Sequence, residues 1–207
     1  MKIQETQHPD AFKYANALDG LKERVDALVP NPEHEFARAV ATDLETRIRF
    51  ISVHHERPPF RYITLGELVL DVGRPNQVDL RTMDVEPMEL GQCFHNAFTM
   101  AVDNPNLTYC EGYALASILP VEHAWLEDVD GNVIDPTWKN LPGRGTATEA
   151  GYFGVRFSTQ FLLHAVMESG YTGILTSDWM LANRSQRLGL EMEDGIAIAW
   201  KEEIRAS

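Results

Sequence analysis

Cys93, His123 and Asp135 are the residues of this chain whose types and spacing point to chemistry. Cys93 closes Gly91-Gln92-Cys93, His123 sits in Glu122-His123-Ala124-Trp125, and Asp135 sits in Val133-Ile134-Asp135-Pro136-Thr137. A sulfur nucleophile acts as thiolate, so near neutral pH it needs a partner that holds its charge. An imidazole can do this, provided a carboxylate fixes the tautomer and direction of the ring. The three residues read as nucleophile, base and orienter in that order.

Positioning them requires particular elements. After Cys93, Phe94, Ala97, Phe98 and Ala101 fall at i, i+3, i+4 and i+7, one face of a helix, so Cys93 is expected at or near a helix N-terminus. Unpaired N–H groups and the positive end of the helix dipole favour a thiolate there. Tyr109 to Ala116 alternates large residues with small ones, which predicts a strand whose small face, Cys110, Gly112, Ala114 and Ala116, receives a closely packed helix. Cys110 then reads as a buried packing thiol.

Glu122 to Thr137 reads as a hairpin, and parity tests whether His123 and Asp135 can meet. A two-residue turn at Asp130-Gly131 pairs Leu126 with Asp135 and throws Asp135 to the face opposite His123. A three-residue loop, Val129-Asp130-Gly131, pairs Asp128 with Asn132 and Trp125 with Asp135, so His123 and Asp135 become diagonal neighbours on one face. Diagonal backbones lie about 7–8 Å apart, a gap these two side chains can close. The longer loop also wants a positive φ at its third position, where the sequence has Gly131.

Elsewhere the chain supplies scaffold. Asp10 to Leu28 and Pro32 to Ile51 each carry apolar residues at helical spacing, separated by Val29-Pro30-Asn31, and predict a helical hairpin. His54-His55-Glu56 reads as a solvated helix end, since adjacent side chains diverge too far to share an ion. The stretches 62–65 and 67–72 are rich in β-formers and predict strands, with Gly73-Arg74-Pro75-Asn76 as a turn. Tyr152 to Phe157 predicts another strand, and Phe161 to Met167 and Thr176 to Leu188 predict helices. The 207 residues suit one domain: an N-terminal helical extension over 1–60, packed on a core over 61–207.

Eighteen basic residues against 31 acidic ones give a formal charge of -13, which repels phosphate backbones and anionic headgroups. Nucleic acid and membranes are therefore not expected as partners. Met1 to Asp10 lacks a basic-then-apolar leader and no apolar run reaches membrane-spanning length, so the expectation is a cytoplasmic chain with both cysteines as free thiols.

Taken together, these motifs resemble the transglutaminase-like branch of the papain-like cysteine protease superfamily. Gly91-Gln92-Cys93-Phe94 is similar to its nucleophile motif, where Trp often follows the cysteine. Glu111-Gly112-Tyr113-Ala114 looks like the intervening strand, and His123-Ala124-Trp125 with Asp135-Pro136-Thr137 like the histidine and aspartate strands. The likeness runs from Gly91 to Trp138, about a quarter of the chain. It implies an α+β fold, a nucleophile helix packed on an antiparallel sheet. It also implies acyl transfer through a thioester, with Cys93 as nucleophile, His123 as general base and then acid, and Asp135 as orienter. The Cys93 N–H would hold the oxyanion, with Gln92 and Trp125 in support. A peptide or protein amide is the implied substrate, and no cofactor or metal is implied. The N-terminal hairpin has no counterpart in that family, and the extra domains and calcium sites of its animal members are absent.

Three other functions stay open at this point. Acetyl transfer from a coenzyme thioester could use the same residues, although no basic or Gly-rich phosphate cradle is evident. Cys93, His95, Cys110 and His123 are metal-ligand types, but without CxxC or HxxxH spacing. An inactive binding module would keep the fold and lose the turnover.

Overall fold

The computed structural model describes residues 26, 27, 29, 34–54, 61, 62, 64–80, 82–116, 119–139, 149–175 and 179–202. The fold is α+β. In chain order it contains α1 (Glu35–His54), α2 (Leu65–Val72), β1 (Arg74–Asp79), α3 (Cys93–Asp103), β2 (Thr108–Leu115), β3 (Val121–Glu127), β4 (Val133–Ile134) and β5 (Glu149–Phe157). It ends with α4 (Thr159–Ser169), α5 (Trp179–Leu188), β6 (Leu190–Glu193) and β7 (Ile196–Trp200). The seven strands form one sheet in the order β4-β3-β2-β5-β7-β6, with β1 also paired to β5.

This sheet is mixed, where an antiparallel one was expected. β1, β2, β3, β4 and β5 pair antiparallel, but β5 and β7 run parallel through Arg156↔Ile196 and Phe157↔Ala197. The crossover through α4 and α5 makes this geometry available, because a parallel neighbour needs a long connection. The β6–β7 hairpin was not anticipated, although Asp194-Gly195 is a strong turn signal; both residues take positive φ, 49° and 76°.

Residues 65–72 form a helix rather than a strand. Thr64 caps it, its Oγ1 accepting the Glu67 N–H at 3.1 Å, so Thr64-Leu65-Gly66-Glu67 behaves as a capping sequence that outweighs the β-propensity of the following Leu-Val-Leu. The expected turn at Gly73–Asn76 is instead the start of β1. Among the described residues β1 pairs on one side only, which accommodates Pro75 and its missing N–H.

The two sheet faces bury different things. Tyr109, Tyr113, Leu115, Ala124, Leu126, Phe153, Val155 and Phe157 join one apolar cluster with Val40, Ala41, Leu44 and Ile48 of α1 and Ala97 and Ala101 of α3. Gly151 lies so close to α1 that a Cβ would meet the Ala37 nitrogen at 2.2 Å. Of the expected helical hairpin, the second helix is therefore laid directly on the sheet; the first lies outside the described residues except for Asp26 and Ala27 in helical conformation. The other face carries Cys110, Ala114, Ala116, Trp125 and Tyr152, covered by Leu80, Met83 and Trp138. The small-residue face of β2 thus looks away from α3, and α3 packs on the large-residue face. Among the described residues no helix is long and apolar enough to cross a membrane.

Candidate active site

Cys93 is the first residue of α3, where the backbone N–H groups of the first turn have no carbonyl one turn back. Gly91 turns the chain into the helix at φ +80°, and a Cβ there would meet nothing, so the backbone conformation alone calls for glycine. Gln92 is the exposed N-cap, without a capping hydrogen bond from its side chain. One turn on, the buried Asn96 donates Nδ2 to Glu89 O at 2.8 Å and to Thr137 Oγ1 at 2.9 Å. The start of the helix is thereby tied to the segment that follows Asp135.

The hairpin takes the three-residue register. Leu126 faces Ile134 and Glu127 faces Val133, Asp128 N–H donates to Asn132 O, and Gly131 sits at φ +83°. Asp128 Oδ1 also accepts the N–H groups of Asp130 and Asn132, which fixes the loop from within. His123 and Asp135 consequently share a face, and His123 Nε2 donates to Asp135 Oδ2 at 2.8 Å. Both side chains are buried.

Asp135 is saturated with donors. Its Oδ1 accepts the backbone N–H of Thr137 at 3.0 Å and of Trp138 at 2.9 Å; its Oδ2 accepts the Tyr152 hydroxyl at 2.9 Å as well as the imidazole. Four donors thereby satisfy the acceptor oxygens of a fully buried carboxylate. Trp138 stacks on His123 with ring centroids 4.1 Å apart and planes 24° apart.

Cys93 completes the arrangement: it lies near enough to His123 to favour the charged imidazole. Burial is the largest influence on the imidazole and opposes its charge, but the Asp135 carboxylate, its hydrogen bond and Cys93 together push His123 up to about 9. A positively charged ring beside the sulfur is the partner a thiolate requires.

Trp125 shares the His123 face and packs on Tyr152, with ring centroids 5.0 Å apart, so it backs the group that holds Asp135; its Nε1 is buried without a hydrogen-bond partner. Cys110 is fully buried, and burial pushes its thiol up, with Glu127 adding to the effect. His95 is exposed on α3. Among the described residues no three His, Cys, Asp or Glu side chains form a group that could hold a metal ion. Sequence reasoning missed Asn96, Thr137, Trp138 and Tyr152. The Asp-Pro-Thr-Trp turn offered a signal for Thr137 and Trp138, whereas nothing local marks Tyr152, whose hydroxyl arrives from another strand.

Comparison with protein-family models finds no match to the chain, and neither the curated proteins nor the solved structures yield one.

Proposed function

We propose that this protein is a cysteine-dependent amide hydrolase or acyltransferase with a transglutaminase-like, papain-like core, acting on a peptide or peptide-like amide. The observation that carries this reading is a buried imidazole bonded through Nε2 to Asp135 at 2.8 Å, with Cys93, at a helix start, close enough to favour its charged form.

The chemistry follows from that arrangement. The Cys93 thiolate attacks the amide carbonyl carbon, and the oxyanion takes the backbone N–H of Cys93, with the exposed Gln92 side chain as a second donor. As the C–N bond breaks, the His123 imidazolium gives its proton to the leaving amine and a thioester remains on sulfur. Water or an amine then attacks the thioester carbonyl, giving its proton to the now neutral His123. The C–S bond breaks, and thiolate and imidazolium are restored. Hydrolysis is the favoured outcome, because transfer demands a site that keeps water out. A cytoplasmic location is part of the proposal, a compartment in which Cys93 and Cys110 would stay free thiols.

An activated acetyl ester tests the proposal. Intact-mass analysis should find one acetyl group on Cys93, lost with time to water or captured by an added amine, and His123→Ala should acylate far more slowly. No adduct on Cys93, or equal acylation in His123→Ala, would leave the site a packing arrangement.

A further inference from the structure

Asp135 Oδ2 receives two side-chain donors from different strands: His123 Nε2 from β3 at 2.8 Å and the Tyr152 hydroxyl from β5 at 2.9 Å. Tyr152 is fully buried, its ring tilted against Trp125, Trp138 and His123 at centroid distances of 5.0, 6.0 and 6.2 Å. Packing alone accounts for the ring but not for where the hydroxyl ends. A phenylalanine would fill the same space, and Asp135 would keep both backbone donors on Oδ1.

We propose that Tyr152 is a positioning residue that sets the proton-donating strength of His123 by drawing charge off the oxygen the imidazole bonds to. This rests on the reading of Cys93, His123 and Asp135 as an acyl-transfer site. A carboxylate oxygen that accepts a second hydrogen bond presents less negative charge to the first donor, so the imidazolium beside it is less stabilised and gives up its proton more readily. Left unmoderated, a buried Asp135 would hold the imidazolium too firmly for it to act as general acid toward a leaving amine. Among the described residues the groups that face His123 are few. Cys93 comes from α3, Asp135 and the stacked Trp138 from the turn after β4, Tyr152 from β5, and uncharged Gly112 opposite it on β2. Lys139, next in the turn, donates its ammonium to Met83 O, and Glu122 projects from the other face of β3.

The test is NMR titration of the His123 ring in the full chain, with Cys93→Ala as background so that the imidazole answers to Asp135 and Tyr152 alone. Tyr152→Phe should move the midpoint upward by about half a pH unit, and a ring-fluorinated tyrosine at position 152, a stronger donor, should move it downward. In the Cys93-containing protein, Tyr152→Phe should lower kcat for amide turnover with little change in KM. An unmoved midpoint would make Tyr152 a packing residue. A midpoint that falls in Tyr152→Phe would show that the hydroxyl merely keeps the carboxylate from swinging away. Either result overturns the proposal, and the fluorinated variant decides the matter should Tyr152→Phe fold poorly. The titration is independent of turnover: absent acylation of Cys93 together with the predicted midpoints would sink the enzymatic reading and leave the Tyr152–Asp135–His123 linkage standing.

Discussion

Trp138 lies flat against His123, ring centroids 4.1 Å apart, and its own backbone N–H binds the carboxylate that His123 bonds to. One residue thus screens a hydrogen bond from water and helps anchor its acceptor. Trp138→Ala should cost about 3–5 kcal/mol as a large buried side chain. At temperatures where the variant stays folded, acylation of Cys93 should also slow, because water then competes for the imidazole. Chemical denaturation and acylation rates check the two effects separately.

The two thiols should differ sharply in reactivity. Cys93 is partly exposed at a helix start, whereas Cys110 is fully buried with its thiol pushed up by burial and Glu127. Iodoacetamide should modify Cys93 in the native protein and spare Cys110 until denaturant is added. His123→Ala should slow labelling of Cys93 below neutral pH, since the sulfur loses its counter-charge. Peptide mapping after timed labelling reads both outcomes.

Asp135→Asn should abolish most turnover while keeping the fold. An amide oxygen can still accept from Thr137 and Trp138, but its NH2 then points at His123 Nε2 and selects the wrong tautomer. A loss of roughly 10³–10⁴ in kcat is expected from the same change in comparable triads. Circular dichroism should be unchanged.

Stability should fall on the alkaline side. His123 is raised from 6.5 to about 9 in the folded chain, so between these values the folded state binds more protons than the unfolded one. The stabilisation is complete below pH 6.5 and disappears as pH rises through about 9. Its size is on the order of 3 kcal/mol. Urea midpoints at the two pH limits should drop more in wild type than in Asp135→Asn; an equal drop would place the pH dependence elsewhere.

Gly131→Ala should cost roughly 1–2 kcal/mol through its positive φ, since a Cβ there would meet no neighbour. The same variant should weaken the His123–Asp135 bond, seen as slower acylation, because this loop sets the register that brings the two side chains to one face.

What the sequence determined by itself is local. Period placed Cys93 at or near a helix N-terminus, and strand parity with a glycine at the third loop position favoured the register that puts His123 and Asp135 on one face. Both depend only on backbone geometry within a few residues. Where two local signals competed, at Thr64–Val72, the β-branched and aliphatic run was read and the capping pair Thr64 and Glu67 was not. Only tertiary structure decided the rest. Strand parity says nothing about which strand lies beside which, so Tyr152 could not be placed against Asp135, 17 residues away, until β5 was docked on β2. Asn96 and Thr137, 41 residues apart, meet only because α3 packs on the sheet beside the Asp135 turn. The mixed sheet, α1 lying across its large-residue face, and the approach of Cys93 to His123 are likewise outcomes of long-range packing. Burial of apolar area chooses among many pairings there, and no local pattern records the choice.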